Sequence, residues 1–145
     1  EYMDVGNRNH WRMDDVVPSA EVLKGIHGRW PVSAVPGAYH GEVAERYRYD
    51  DGAGELGFVS SVTAPFCGDC TRARLSSDGM FYTCLFATRG TDLRAALREG
   101  APDEELAALM RSAWTARSDR YSEQRAEWQR LERQPGKIEM HYIGG

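Results

Sequence analysis

Between Val43 and Val62 the order of apolar and polar residues writes two strands and a turn. "VAERYRY" (43–49) alternates apolar and charged residues, as a strand with one face in water does. "DDGAGE" (50–55) is a turn, and "LGFVSSV" (56–62) is the returning strand, so the stretch predicts a hairpin. A second hairpin follows, in which "TRARL" (71–75) alternates, "SSDG" (76–79) turns and "MFYTCLF" (80–86) is rich in strand formers. Asp-Gly between two such runs is a strong hairpin signal, and the turn is expected to centre on Asp78 and Gly79.

Elsewhere the apolar spacing is helical. Pro18 opens a short helix with Val22, Leu23 and Ile26 on one face, stopped by Gly28 and Pro31. A helix is predicted over 91–99, with Thr91 as N-cap, Leu93, Ala96 and Leu97 as its apolar face, and Gly100 just past its end. Another runs from Pro102 to about Ser118, with Leu106, Leu109, Met110, Ala113 and Trp114 on one face. "EYMDV" (1–5) reads as a short buried strand, "GNRN" (6–9) as a turn-rich loop, and 31–42, rich in Pro and Gly, as loop. The charged stretch 119–134 fits helix or loop, and "KIEMHYIGG" (137–145) begins as a strand and ends in two glycines. The sum is an α+β fold of antiparallel hairpins with flanking helices.

Composition narrows the function classes. The 145 residues suit one domain able to bury a core. A net charge of −4 disfavours a general nucleic-acid surface, so no nucleic-acid partner is expected. No apolar run is long enough for a membrane span and the first residues do not form a signal peptide, which gives a cytoplasmic expectation. A glutamate at position 1, with no lead-in to the strand, reads as a chain cut from something longer. Only Lys24 and Lys137 of the 18 basic residues are lysine; the rest are arginine, whose planar fork suits phosphate and carboxylate.

The chemistry concentrates in "FCGDCTRARLSSDGMFYTC" (66–84), which holds all three cysteines. Cys67 and Cys70 are spaced to face one ion or cluster. The hairpin returns Cys84 opposite about residue 73. With strands ~4.8 Å apart and residues rising ~3.4 Å, all three sulfurs can converge at its base. A [4Fe–4S] cluster with three cysteine ligands and one open iron suits this count. A zinc site needs a fourth ligand, and His10, His27, His40 and His141 are all distant in sequence. A CxxC with an unrelated Cys84 is the third reading, and the spacing leaves all three open. Arg72 and Arg74 share a strand face with Cys70, so two guanidiniums lie beside a thiol, able to hold an anion or simply to face solvent.

These residues carry a resemblance. "GFVSSVTAPFCGDCTRARLSSDGMFYTCLF" (57–86) resembles the C-terminal cluster region of the GTP 3′,8-cyclases of molybdenum cofactor biosynthesis, members of the radical S-adenosylmethionine enzymes. "EYMDVGNRNHWRMDDVVPSAEVL" (1–23) is similar to the segment entering that region, and "IGG" (143–145) to the family's double-glycine tail. The resemblance implies that the chain is the C-terminal part of an incomplete (β/α) barrel enzyme. Residues 1–30 would be the last barrel-derived strand and helix, and 31–145 the cluster and GTP-binding region. It implies that Cys67, Cys70 and Cys84 hold a second [4Fe–4S] cluster whose open iron takes the guanine of GTP. Arg72 and Arg74 would contact GTP, and Gly144 and Gly145 would reach into the active site. S-adenosylmethionine and the first cluster belong to an N-terminal CxxxCxxC, which is absent here, so this chain alone is expected to be inactive. The downstream partner would be cyclic pyranopterin monophosphate synthase, and apolar surface left without its barrel invites a homodimer. Thr71 stands where the family pattern has asparagine, and a histidine expected near Tyr121 is missing. Outside the resemblance, the competing class is a stand-alone zinc-binding interaction module built on the cysteines and a distant histidine.

Overall fold

The computed structural model of the chain describes residues 1–4, 10–130, 136 and 138–143. It is an α+β fold, with ten elements in the order α1 (Ser19–His27), β1 (Val32–Val35), β2 (Glu45–Tyr49), β3 (Glu55–Phe58), β4 (Arg74–Leu75), β5 (Met80–Tyr82), β6 (Thr91–Asp92), α2 (Leu93–Arg98), α3 (Asp103–Thr115) and α4 (Tyr121–Arg130). Short 3-10 turns at Met13–Asp15 and Cys67–Asp69 punctuate the loops. Two antiparallel sheets result, ordered β1-β2-β3 and β4-β5-β6. Among the described residues no helix is long and apolar enough to cross a membrane.

Both predicted hairpins are present, β2–β3 and β4–β5. The second is one residue out of the expected register, since Arg74 pairs with Tyr82. The reason is the turn. Ser76 N–H donates to Met80 O at 2.9 Å and Gly79 N–H to Ser76 O at 3.0 Å, enclosing three residues rather than two. Gly79 takes the left-handed conformation (φ +85°) that such a loop needs at its last position. The strand of 80–86 also stops early, at Tyr82, because Thr83 turns its hydroxyl to Asp119 and Ala87 N–H folds back to Cys84 O.

Other expectations change for physical reasons. The predicted loop 31–42 contains β1, because Pro31 and Pro36 bracket four residues and bias their neighbours toward extended backbone, which β2 pairs along its length. Thr91 is not the N-cap of α2. It pairs with Phe81, and Asp92 caps instead, its carboxylate accepting Ala95 N–H at 3.0 Å. Gly100 does sit past the end of α2 with φ +83°. Residues 1–4 form no strand: Glu1 replaces ladder bonds with its own carboxylate, which accepts the N–H groups of Ser19, Val62 and Thr63 at 2.9 Å each. The strand expected to begin at 137 is a loop over its described residues, held by Ile138 N–H on Ala87 O at 3.1 Å and closed by Ile143 N–H on Met140 O at 3.2 Å. Loop 6–9 and the tail glycines Gly144 and Gly145 lie outside the described residues.

Two small apolar clusters hold the cysteine side of the molecule. Tyr82, Ala87 and Ile143 form one, and Phe86, Tyr121 and Met140 the other. Cys84 and Leu85 pack against both, so the third cysteine sits at their junction. Phe86 and Tyr121 stack with ring centres 4.4 Å apart, and this ties α4 to the segment after β5.

Candidate functional site

Cys67 begins a single 3-10 turn, and Cys70 ends it with its N–H on Cys67 O at 3.4 Å, so the spacing of the pair is fixed by one backbone bond. Cys84 follows β5 by two residues. Its sulfur accepts the Phe86 N–H at 3.3 Å. All three cysteines are free thiols and line one cavity, together with Arg72 and Arg74. Both arginines line the cavity, but the shared strand face expected of them is not formed: β4 begins at Arg74, and Arg72 lies in the loop before it. Arg72 lies with its guanidinium 5.2 Å from the Phe66 ring centre, another lining residue.

The thiols are electrostatically unequal. Burial opposes ionisation of Cys70, but hydrogen bonds and charge from Arg72, with charge from Arg117, outweigh it and hold the pKa below the ordinary thiol value. Burial pushes Cys84 up to about 11, with Asp119 and the other two thiols adding to it against the Phe86 N–H.

The structure adds residues that the sequence did not single out. Arg117, just beyond α3, lines the cavity and donates from Nη2 to Cys70 O at 2.7 Å. Asp119 lines it too and accepts the Thr83 hydroxyl. Arg125 on α4 is 1% exposed. Its Nη1 donates to the carbonyl of Ser61, a lining residue, at 2.9 Å, and its guanidinium lies 5.1 Å from the Phe86 ring centre. Its Nε touches Asp4 at 2.9 Å, an ion pair whose N–H is not aimed well enough for a hydrogen bond. Tyr121 donates its hydroxyl to the same Asp4. Burial and that carboxylate raise the phenol's pKa. The available signal was periodic: Tyr121, Arg125 and Trp128 fall at i, i+4 and i+7 of the charged stretch left open between helix and loop.

Thr71 does not line the cavity. It packs on Gly41, where a Cβ would lie 2.5 Å from the Thr71 hydroxyl oxygen. The substituted position is therefore turned away from the thiols. None of the four histidines, all among the described residues, lines the cavity; His40 lines a separate groove that shares Phe66 as a wall. Among the described residues no group of three or more His, Cys, Asp or Glu side chains is drawn together as a metal site. The donor chemistry nonetheless fits an iron–sulfur cluster: three soft thiols, none in a disulfide, line one cavity.

Comparison with known proteins decides the family. Residues 1–123 match Molybdenum Cofactor Synthesis C. The chain belongs to the Molybdenum Cofactor Synthesis C family. It is 54% identical over 145 residues to the GTP 3′,8-cyclase of Xanthomonas axonopodis pv. citri (strain 306), covering 100% of this chain and 42% of that protein. The GTP 3′,8-cyclase of Acidothermus cellulolyticus is 47% identical over 167 residues, covering 100% of the chain and 46% of the relative. That of Staphylococcus haemolyticus is 46% identical over 146 residues, covering 100% and 43%. This Molybdenum Cofactor Synthesis C chain therefore spans less than half the length of these relatives and aligns with their C-terminal part.

Proposed function

We propose that the chain is the C-terminal part of a GTP 3′,8-cyclase, which converts GTP to 3′,8-cyclo-7,8-dihydro-GTP on the route to the molybdenum cofactor. The observation that carries this is the meeting of Cys67, Cys70 and Cys84 with Arg72 and Arg74 on one cavity. In this function the three cysteines hold a [4Fe–4S] cluster, which when bound supplies an iron without a protein ligand to take the guanine of GTP. Arg72 and Arg74 present planar forks to the anionic substrate. Phe66, Leu85 and Phe86 give the cavity apolar walls that exclude water and strengthen those charges. Residues beyond this chain, an incomplete (β/α) barrel, supply S-adenosylmethionine and the cluster that cleaves it. The chain alone therefore binds GTP without cyclising it. Gly144 and Gly145 act as the tail that reaches the substrate in the longer enzyme, whose product passes to cyclic pyranopterin monophosphate synthase.

The test is anaerobic reconstitution followed by metal and sulfide analysis. About four irons and four sulfides per chain are expected, with loss on Cys67→Ser, Cys70→Ser or Cys84→Ser. One zinc per chain and no iron would replace this function with a zinc-binding module.

A further inference from the structure

We propose that Arg117 is a positioning residue whose charge, held beside Cys70, sets the reduction potential of the cluster the three cysteines hold. This rests on the function proposed above. The helix that carries Arg117 stops short of it. α3 ends at Thr115, the Ala116 N–H returns to Ser112 O at 3.0 Å, and the Arg117 N–H reaches Trp114 O at 3.4 Å. The side chain is thereby released from the helix and lies with its guanidinium 3.8 Å from the Trp114 ring centre. Stacking on that ring fixes the plane of the fork.

From this perch Nη2 donates to the carbonyl of Cys70, 47 residues away in sequence, at 2.7 Å. The other side of Cys70 is fixed as well, because its N–H closes the turn on Cys67 O. The peptide groups of the cysteine are thus gripped from both directions, while its sulfur and the guanidinium line the same cavity. The charge pattern is lopsided. Cys70 has Arg72 and Arg117 beside it, whereas Cys84 has Asp119. Adding an electron to a cluster makes it more negative, and a nearby cation favours the reduced state. Lysine in place of Arg117 keeps the charge but not the fork or its stack on Trp114.

The experiment reconstitutes the 145-residue chain and its Arg117→Met, Arg117→Gln and Arg117→Lys variants under anaerobic conditions. Iron content and the midpoint potential of the cluster are measured for each, the latter by a spectroscopically monitored reductive titration. The expected result is full iron in all four, a more negative potential in Arg117→Met and Arg117→Gln, and a potential in Arg117→Lys close to that of the unaltered chain. Should Arg117→Met not fold, Arg117→Gln, which keeps an amide donor, carries the same charge test. Equal potentials in all folded proteins, or a lysine variant that moves with the neutral ones, overturn the charge role and leave the proposed function intact. An unaltered chain that takes up no iron overturns both.

Discussion

Arg72 lines the thiol cavity and lies over Phe66, so the proposed substrate binding is tested first at this residue. Arg72→Ala and Arg74→Ala are each expected to weaken GTP binding to the reconstituted chain. A lost charge-assisted contact costs about 1.5–3 kcal/mol, roughly ten- to a hundredfold in affinity. Iron content should not change in either variant, and equilibrium dialysis with equal affinities would return both side chains to mere solvation. Glu1 makes a different prediction. Burial works against its charged form, but the Thr63 hydroxyl and the N–H groups of Ser19, Thr63 and Val62 prevail and lower its pKa from 4.5 to about 2. A depressed carboxyl contributes stability that is fully present above the unfolded value, and it is lost as pH falls through the folded one. The melting-temperature gap between the unaltered chain and Glu1→Gln should therefore be widest at neutral pH and shrink from about pH 4.5 towards 2. A gap independent of pH would show that the carboxylate's charge contributes nothing.

At the scale of elements, α4 settles the described part of a stretch whose charge left helix and loop both open, and it buries a charge: Arg125 lies against Asp4 and three aromatic rings, Trp11, Phe86 and Tyr121. Removing one member of a buried pair strands the other, so Arg125→Met should cost about 3–5 kcal/mol in chemical denaturation. A loss within that of an ordinary surface change would mean Asp4 finds another partner. The turn-and-alternation signals did reveal the two hairpins, and helical spacing revealed α1 and α3, because these depend on neighbours in sequence. β1 was not legible because its partner lies across an intervening loop, and four residues between prolines carry no periodicity of their own. Spacing and one turn predicted that the three sulfurs converge; the three cysteines do line one cavity, but among the described residues they are not drawn together as a metal site. Arg72 and Arg74 were placed beside them by spacing, whereas Arg117 was not, since it is brought in where α3 ends. The loop before β2 makes its own contact with the site: Gly41, at φ +79°, faces Thr71 and the Asp69 carbonyl, which a Cβ would approach to 2.9 Å. Gly41→Ala is expected to cost about 2–4 kcal/mol from left-handed strain and overpacking, and to lower iron uptake by displacing the Cys67–Cys70 turn. Unchanged melting and iron content would show that the loop gives way freely.

For the molecule as a whole, the thiol cavity stands where separate parts of the chain meet: the segment after β3, the cysteine turn, the residues after β5, the loop after α3 and the start of α4. The placement of the aromatic residues around it has an optical consequence. Trp114 lies beneath Arg117, Trp11 beside Arg125, and Trp128 with its ring centre 5.1 Å from that of Tyr121. Trp30 is 54% exposed, lies beside Arg29 and does not line the cavity. Iron–sulfur clusters absorb where indoles emit, so a cluster bound at the thiols drains light from its neighbours first. Loading the chain should dim and red-shift its ultraviolet emission, leaving the solvent-facing indole as the residual lamp. Trp114→Phe, which still offers Arg117 a ring, should remove a large share of the drop, whereas Trp30→Phe should remove the residue. Emission that stays constant as iron enters would exclude these rings as reporters. A titration followed by fluorescence would otherwise read the filling of the site without any added dye.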